Sequence, residues 1–289
     1  MPVGQLSHPP QTLQLAWRFG NSSPKNLSEA LETQARSLRN SPALLIPYAT
    51  SRVPSEAVFS VPFSDLVLEQ NAWVNYFQNC GIGRGEAAVV ALPYGPAFVA
   101  VSYALLRIRV HVCVLDPEFN WKVGYARLRD FEPQYVLGTR SALSCARSIL
   151  ANPSSQPSFI EVDKPQALIG SAIRSFQTRF TGCDPNESSL TTMRTVGQRC
   201  TSAYFDQEQL CLLASCFKVW FDLEEGDRGL PGNLLEALLF PAAGITSLVV
   251  ADRFSDGTLA AAKLTLEAVE RFDLRFVSGE SRFWRCLAQ

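Results

Sequence analysis

Short apolar runs separated by helix-length segments constrain this chain more than any other feature. AVVAL (88–92) leads through the turn Pro93-Tyr94-Gly95-Pro96 into the helical run AFVAVSYALLR (97–107). VHVCVL (110–115) follows and is closed by Asp116-Pro117; then come a helix over about 121–131, the run QYVLG (134–138) and a helix over 141–150. Apolar runs of this length, without alternation, are those of strands buried on both faces. Strand, helix and strand joined by short turns predict an α/β fold, a parallel sheet covered by helices.

The flanking segments extend that reading. Residues 1–25 read as a flexible arm and 26–289 as a domain. Asn26, with Glu29 three residues on, reads as the start of a helix that carries Leu27, Ala30, Leu31, Ala35 and Leu38 on one face. ALLIPY (43–48) and VFSVPF (58–63) read as strands. Ser64 is the expected cap of a helix with Leu66, Trp73, Val74 and Phe77 inside, ended by a left-handed Gly81. Pro153, Pro157 and Pro165 mark 151–165 as an internal linker, and the Thr-, Ser-, Gly- and Asp-rich stretch 179–202 reads as an extended loop. A helix near 205–221, a polar turn EEGDRG, a strand ITSLVV (245–250), a helix (258–272), a strand (274–278) and a short last helix complete the pattern.

Charge and composition exclude several functions. Twenty-six Lys and Arg stand against 27 Asp and Glu, a net charge of -1. No basic face is implied, so neither nucleic acid nor an anionic membrane is the expected partner. The longest apolar stretches are broken by Arg107, Arg109 and Asp116, and no membrane span is expected. The first 20 residues lack the apolar core of a secretion signal. Eight cysteines are scattered without a CxxC pair, several inside apolar runs (Cys113, Cys211, Cys216). They read as buried, reduced thiols of a cytoplasmic protein. With His8 and His111 as the only histidines, no zinc cluster is expected.

Four local motifs have ordinary explanations. Gly81-Ile82-Gly83-Arg84-Gly85 has the wrong spacing and the wrong order, helix before strand, for a dinucleotide fingerprint, and reads as a helix-to-strand turn. Gly279-Glu280-Ser281 lacks the second glycine of a nucleophile elbow, and no histidine follows it. His111 alternates with valines in a strand and reads as structural. Asp222, Glu224, Glu225 and Asp227 read as a solvated turn.

Taken in order, the segments resemble the N-terminal portion of the acyl-adenylate-forming (AMP-binding) ligases. NLSEALETQARSLRNSPALLIPY (26–48) is similar to their opening helix and strand, and PFSDL (62–66) to the start of their next helix. GIGRGEAAVVALPYGPAFVAVSYALLRIRVHVCVLDP (81–117) matches the family's glycine, proline and apolar positions over many consecutive residues. GDRGLPGNLLEALLFPAAGITSLVV (226–250) and KLTLEAVERFDLRFVSGESRFWRCLA (263–288) are closest to the fatty-acyl branch, including the β-lactone synthetases. The resemblance implies ATP and Mg2+ as cofactors and a fatty-acid-type carboxylate that attacks the α-phosphate to give acyl-AMP.

It also implies a phosphate loop of the form T-S-G-[ST]-T-G-x-x-K-G. The matching residues are Thr192-Met193-Arg194-Thr195-Val196-Gly197-Gln198-Arg199-Cys200-Thr201. Thr192, Thr195 and Gly197 remain as a remnant ATP-binding set; Arg194 replaces a glycine, Val196 a threonine and Cys200 the lysine. Arg109 stands where the family has a glycine before its strand. The family's later adenine-binding segment, its ribose-holding aspartate and its C-terminal domain with the catalytic lysine have no counterpart. The resemblance therefore implies a truncated relative, inactive alone and with no catalytic residue of its own. A non-catalytic binding module and one half of a split enzyme, completed by a separate chain, are the alternatives. Truncation inside the domain would leave an apolar face uncovered.

Overall fold

The computed structural model describes residues 24–47, 58–150, 157–162, 188–250, 259–279 and 284–285. Two sheets run through them. The first has the order β11-β9-β10-β1-β2, built from β1 (Pro42–Pro47), β2 (Val58–Pro62), β9 (Arg228–Leu230), β10 (Thr246–Leu248) and β11 (Phe276–Val277). The second has the order β6-β5-β3-β4-β7-β8, built from β3 (Ala87–Ala91), β4 (His111–Leu115), β5 (Tyr135–Gly138), β6 (Ser158–Glu161), β7 (Ser189–Val196) and β8 (Arg199–Asp206). Each sheet is parallel except for one antiparallel edge strand, β2 in the first and β8 in the second. The parallel pairing of β3 with β4 is the topology that the sequence predicts.

Side-chain alternation shows how the layers stack. Ala88, Val90, Val112, Val114, Leu137 and Leu190 join one core, whereas Val89, Cys113, Leu115, Val136 and Met193 join another on the opposite face of the second sheet. The first of these cores also takes Leu44 of β1, while Leu45 turns to a third cluster with Ala268 and Phe272. The helices α1 (Leu27–Ser37), α2 (Phe63–Asn79), α3 (Pro96–Arg107), α6 (Gln207–Trp220) and α7 (Leu234–Ala242) contribute to the core between the sheets. The helices α4 (Trp121–Phe131) and α5 (Arg140–Leu150) cover the outer face of the second sheet, and α8 (Leu259–Phe272) that of the first.

Local chemistry sets the helix ends. Asn26 accepts from Glu29 N at 2.9 Å, as a helix N-cap should. The Glu29 carboxylate accepts from Lys25 N rather than from Asn26 N, so the box is shifted by one residue. Helix α2 begins one residue before the expected cap: Pro62 is the N-cap, and Ser64 donates instead to Asp65 Oδ1. A true capping box opens α6, where Asp206 accepts from Gln209 N and the Gln209 side chain accepts from Asp206 N.

Three segments differ from the sequence reading. The proline-marked 151–165 contains β6, an edge strand parallel to β5; its other residues lie mostly outside those described. The expected loop 179–202 is, from residue 188 onward, a β-hairpin. In it, Thr, Val, Tyr and Phe favour the pleat more than the Ser and Gly content opposes it. Arg228 and Gly229, taken as part of a turn, form β9 between two strands of the first sheet. Cys113 and Cys216 are buried as expected, but Cys80 and Cys145 are exposed. The arm 1–25, the Gly279-Glu280-Ser281 motif and the last helix fall largely outside the described residues.

Helices α2, α3 and α7 end in the same device. After α2, Gly81 N donates to Gln78 O and Ile82 N to Phe77 O, with Gly81 at φ 78°. Gly244 repeats this after α7. After α3 the residue in the left-handed position is Arg109, at φ 67°. A Cβ in that conformation costs about 1–2 kcal/mol, less the chain entropy that a glycine would lose. Arg109→Gly is therefore expected to be more stable than Arg109→Ala by about 0.5–1 kcal/mol, since both remove the side chain and only glycine relieves the backbone, read as a higher urea midpoint at unchanged m.

Arg107, the last residue of α3, binds Glu32 of α1 and Asn71 of α2 and so joins three helices. Its side chain is 10% exposed and that of Glu32 21%. Arg107→Ala should cost roughly 2–3 kcal/mol, below the fully buried case because Glu32 reaches solvent. Equilibrium urea unfolding measures it.

Candidate functional site

In an open α/β sheet, ligands bind beyond the carboxyl ends of neighbouring strands whose connections leave on opposite faces. β3 runs through α3, on one face of the second sheet, to β4, and β5 runs through α5, on the other face, to β6, so the two connections lead apart. The crevice at the carboxyl ends of β3 and β5 is thus the switch point and the candidate site. The turn 92–95 after β3 bounds it, and the loop 116–120 after β4 lies beside that turn.

The turn after β3 is tied to the first sheet. The Tyr94 hydroxyl and Ser247 Oγ of β10 lie 2.5 Å apart, and Ser247 is fully buried. Desolvation pushes the Tyr94 phenol well above its ordinary range, against the lowering effect of that hydrogen bond. Gly95 then caps α3 and Pro96 occupies its first turn, with no side chain satisfying the first N–H groups.

The loop after β4 is ordered by its own polar groups. Asp116 N donates to Met193 O at 3.0 Å, and Asp116 Oδ1 accepts from Glu118 N at 3.0 Å. Asn120 caps α4, accepting from Lys122 N and Val123 N. Its own N–H donates to Thr195 Oγ1 at 2.8 Å, and Thr195 Oγ1 donates to Glu118 O at 3.5 Å. The β7–β8 hairpin is thereby bonded to the loop after β4.

The three residues expected from the sequence all lie on that hairpin. Thr192 is in mid-strand, in register with Val114 of β4 on one side and Ala203 of β8 on the other. Thr195 pairs with Cys200, and Gly197 is the first residue of a two-residue turn between the paired Val196 and Arg199. Only the first turn residue has positive φ, Gly197 at 59°, as a type II′ turn requires. Five residues of extended chain separate Thr192 from Gly197 by roughly 17 Å. Thr192 shares the parity of Leu190 and Thr195 that of Met193, so the two hydroxyls leave opposite faces of the sheet. The structure does not bring the three together around one point. Thr192, Arg194 and Val196 give their N–H groups to the β8 ladder, so the three expected residues form no convergent set of donors.

Other candidates resolve into structural roles. His111 lies at the opposite end of β4, with Nδ1 2.9 Å from Ser189 Oγ. In the acidic turn Glu224 N donates to Asp227 Oδ2, and Glu225 and Asp227 pair loosely with Lys218 and Arg275. Among the described residues no group of His, Cys, Asp and Glu is arranged to hold a metal ion, and no helix is long and apolar enough to cross a membrane. Tyr94, Asp116 and Asn120 are not singled out by sequence, because the crevice is defined by strand order. The only local signals are the Pro-Tyr-Gly-Pro turn and Asp116-Pro117, each directly after an apolar run.

Comparison with solved structures decides the fold. FadD1, a long-chain-fatty-acid-CoA ligase from Archaeoglobus fulgidus, superposes with a TM-score of 0.70 at 17% identity, over 88% of this chain and 52% of the ligase. The N-terminal domain of FACL13 from Mycobacterium tuberculosis gives 0.68 at 14% identity, over 87% of this chain and 62% of that one. This is the fold of the N-terminal region of acyl-adenylate-forming ligases. VinN shares it, with a TM-score of 0.61 at 17% identity over 78% of this chain and 59% of VinN. The chain thus spans roughly half to three-fifths of these ligase-fold structures. No protein-family model and no curated protein matches the sequence.

Two desolvated thiols, Cys113 buried and Cys211 half-buried, make the ligase-like fold sensitive to alkali. Desolvation raises Cys113 well above its ordinary range and pushes Cys211 up to about 12. In the unfolded chain such thiols ionise near pH 8.5, so above that pH the unfolded state binds fewer protons than the fold. Their contribution to stability is fully present below about pH 8 and is lost as pH rises towards 12, by at most about 1.4 kcal/mol per pH unit for each thiol. Urea unfolding at about pH 7, 9 and 10 should show this decline.

Proposed function

We propose that this chain keeps the acyl-adenylate ligase fold as a non-catalytic module and does not itself form acyl-AMP. The β7–β8 hairpin carries the reading. Phosphoryl chemistry in such a fold depends on positioning and charge neutralisation by convergent N–H groups, hydroxyls and a lysine. Here those positions form a ladder of eight consecutive pairs closed by two residues. Arg194 and Cys200 replace the glycine and lysine of the motif, and the two remaining threonines diverge.

FadD1 is a long-chain-fatty-acid-CoA ligase, and VinN has been solved with L-aspartate. A carboxylic acid is accordingly the compound class to offer together with ATP and Mg2+. Titration calorimetry with Mg-ATP is expected to show no binding heat, and incubation with Mg-ATP and fatty acids no pyrophosphate. Pyrophosphate release that depends on the added acid would overturn the proposal.

A further inference from the structure

Four strands form sheet edges among the described residues, and three are guarded or short. β2 ends in Pro62 and pairs with β1 through an irregular register, β6 has four residues, and β11 has two. Proline, irregularity and shortness are the usual means by which edge strands are kept from pairing with other chains. β8 has none of these. It is eight residues long, roughly 27 Å, contains neither proline nor lysine, and pairs with β7 without a register shift.

The direction of its outer groups follows from the turn. A two-residue hairpin closes on a hydrogen-bonded pair, here Val196 and Arg199. Residues 199, 201, 203 and 205 therefore bond to β7, while the N–H and C=O groups of Cys200, Ser202 and Tyr204 point outward. No strand among the described residues pairs with that side. Residues Thr201 to Tyr204 are all exposed, Tyr204 at 63%.

We infer that the outer edge of β8 pairs with the same strand of a second copy, in antiparallel two-fold fashion. Charge selects this occupant. β8 begins with Arg199 and runs into Asp206 and Glu208. Antiparallel self-pairing sets each Arg199 beside the acidic end of the other copy, whereas a parallel pair would align like charges. With Ser202 on the two-fold axis, Cys200 faces the partner's Tyr204 and Thr201 the partner's Ala203, small residues that leave the tyrosines room.

Sedimentation of the full chain under reducing conditions tests this, with two variants. Ser202→Pro removes an outward N–H that β7 does not use, and Tyr204→Lys places an edge-protecting charge. The wild-type chain should sediment as a dimer, and both variants as monomers with unchanged far-ultraviolet circular dichroism. If Ser202→Pro unfolds, Tyr204→Lys alone decides. A wild-type monomer at every concentration, a polydisperse aggregate, or a dimer retained by the folded variants overturns the inference. Pyrophosphate measurements do not bear on it, so it stands or fails apart from the proposed function.

Discussion

The helical layer shared by the two sheets is the constraint on which the rest of the structure depends. Helix α3 is buried over nine consecutive residues, Phe98 to Leu106. A helix apolar on all sides can exist only in the middle of a layered fold. Tyr103 and Ser102 are its buried polar members. The Tyr103 hydroxyl donates to Leu238 O of α7 at 2.5 Å, and its backbone carbonyl accepts from Ser28 Oγ of α1 at 2.8 Å. A buried phenol needs such a partner, so one residue couples three helices in the shared layer. Arg107 does the same at the helix end, where its charge can stay close to water.

The position of the crevice follows from that layer. Because α3 fills the space between the sheets, the later crossovers, α4 and α5, pack on the opposite face, and the connections of β3 and β5 part at their carboxyl ends. The Tyr94–Ser247 contact then fixes the rim against the first sheet. Thr195, through Asn120 and Glu118, fixes the hairpin against the loop after β4. The hairpin therefore reaches the carboxyl ends of the sheet's strands, and from Thr192 to Val196 its alternate N–H groups are used in pairing with β8.

Much of this was legible from the sequence, and the exceptions have physical causes. The strands at 88–92, 110–115 and 134–138 were visible because parallel strands buried on both faces are uninterrupted apolar runs. Gly81 was visible as a helix end because only glycine takes its conformation cheaply. β6 and β9 were hidden, since short strands at or near an edge carry polar residues and lie next to prolines and glycines. Ser64 misled because Pro62, which has no hydroxyl to advertise a cap, takes the N-cap position in extended conformation. The crevice residues were hidden for a different reason. A switch point is a property of strand order, which local pattern does not encode.

The hairpin joins both halves of that lesson. A phosphate loop needs glycines whose backbone can turn N–H groups inward, and these have poor strand propensity. Against the motif that the resemblance implies, Arg194 in place of a glycine is the difference in 192–201 that most favours pairing. Arg194 pairs with Thr201, and Val196 closes the ladder against Arg199. Gly197 is the residue that the pairing itself still requires, because the first position of its turn has positive φ. Gly197 thus survives for a conformational reason, whether or not any nucleotide ever meets it. Its presence is accounted for by the turn alone.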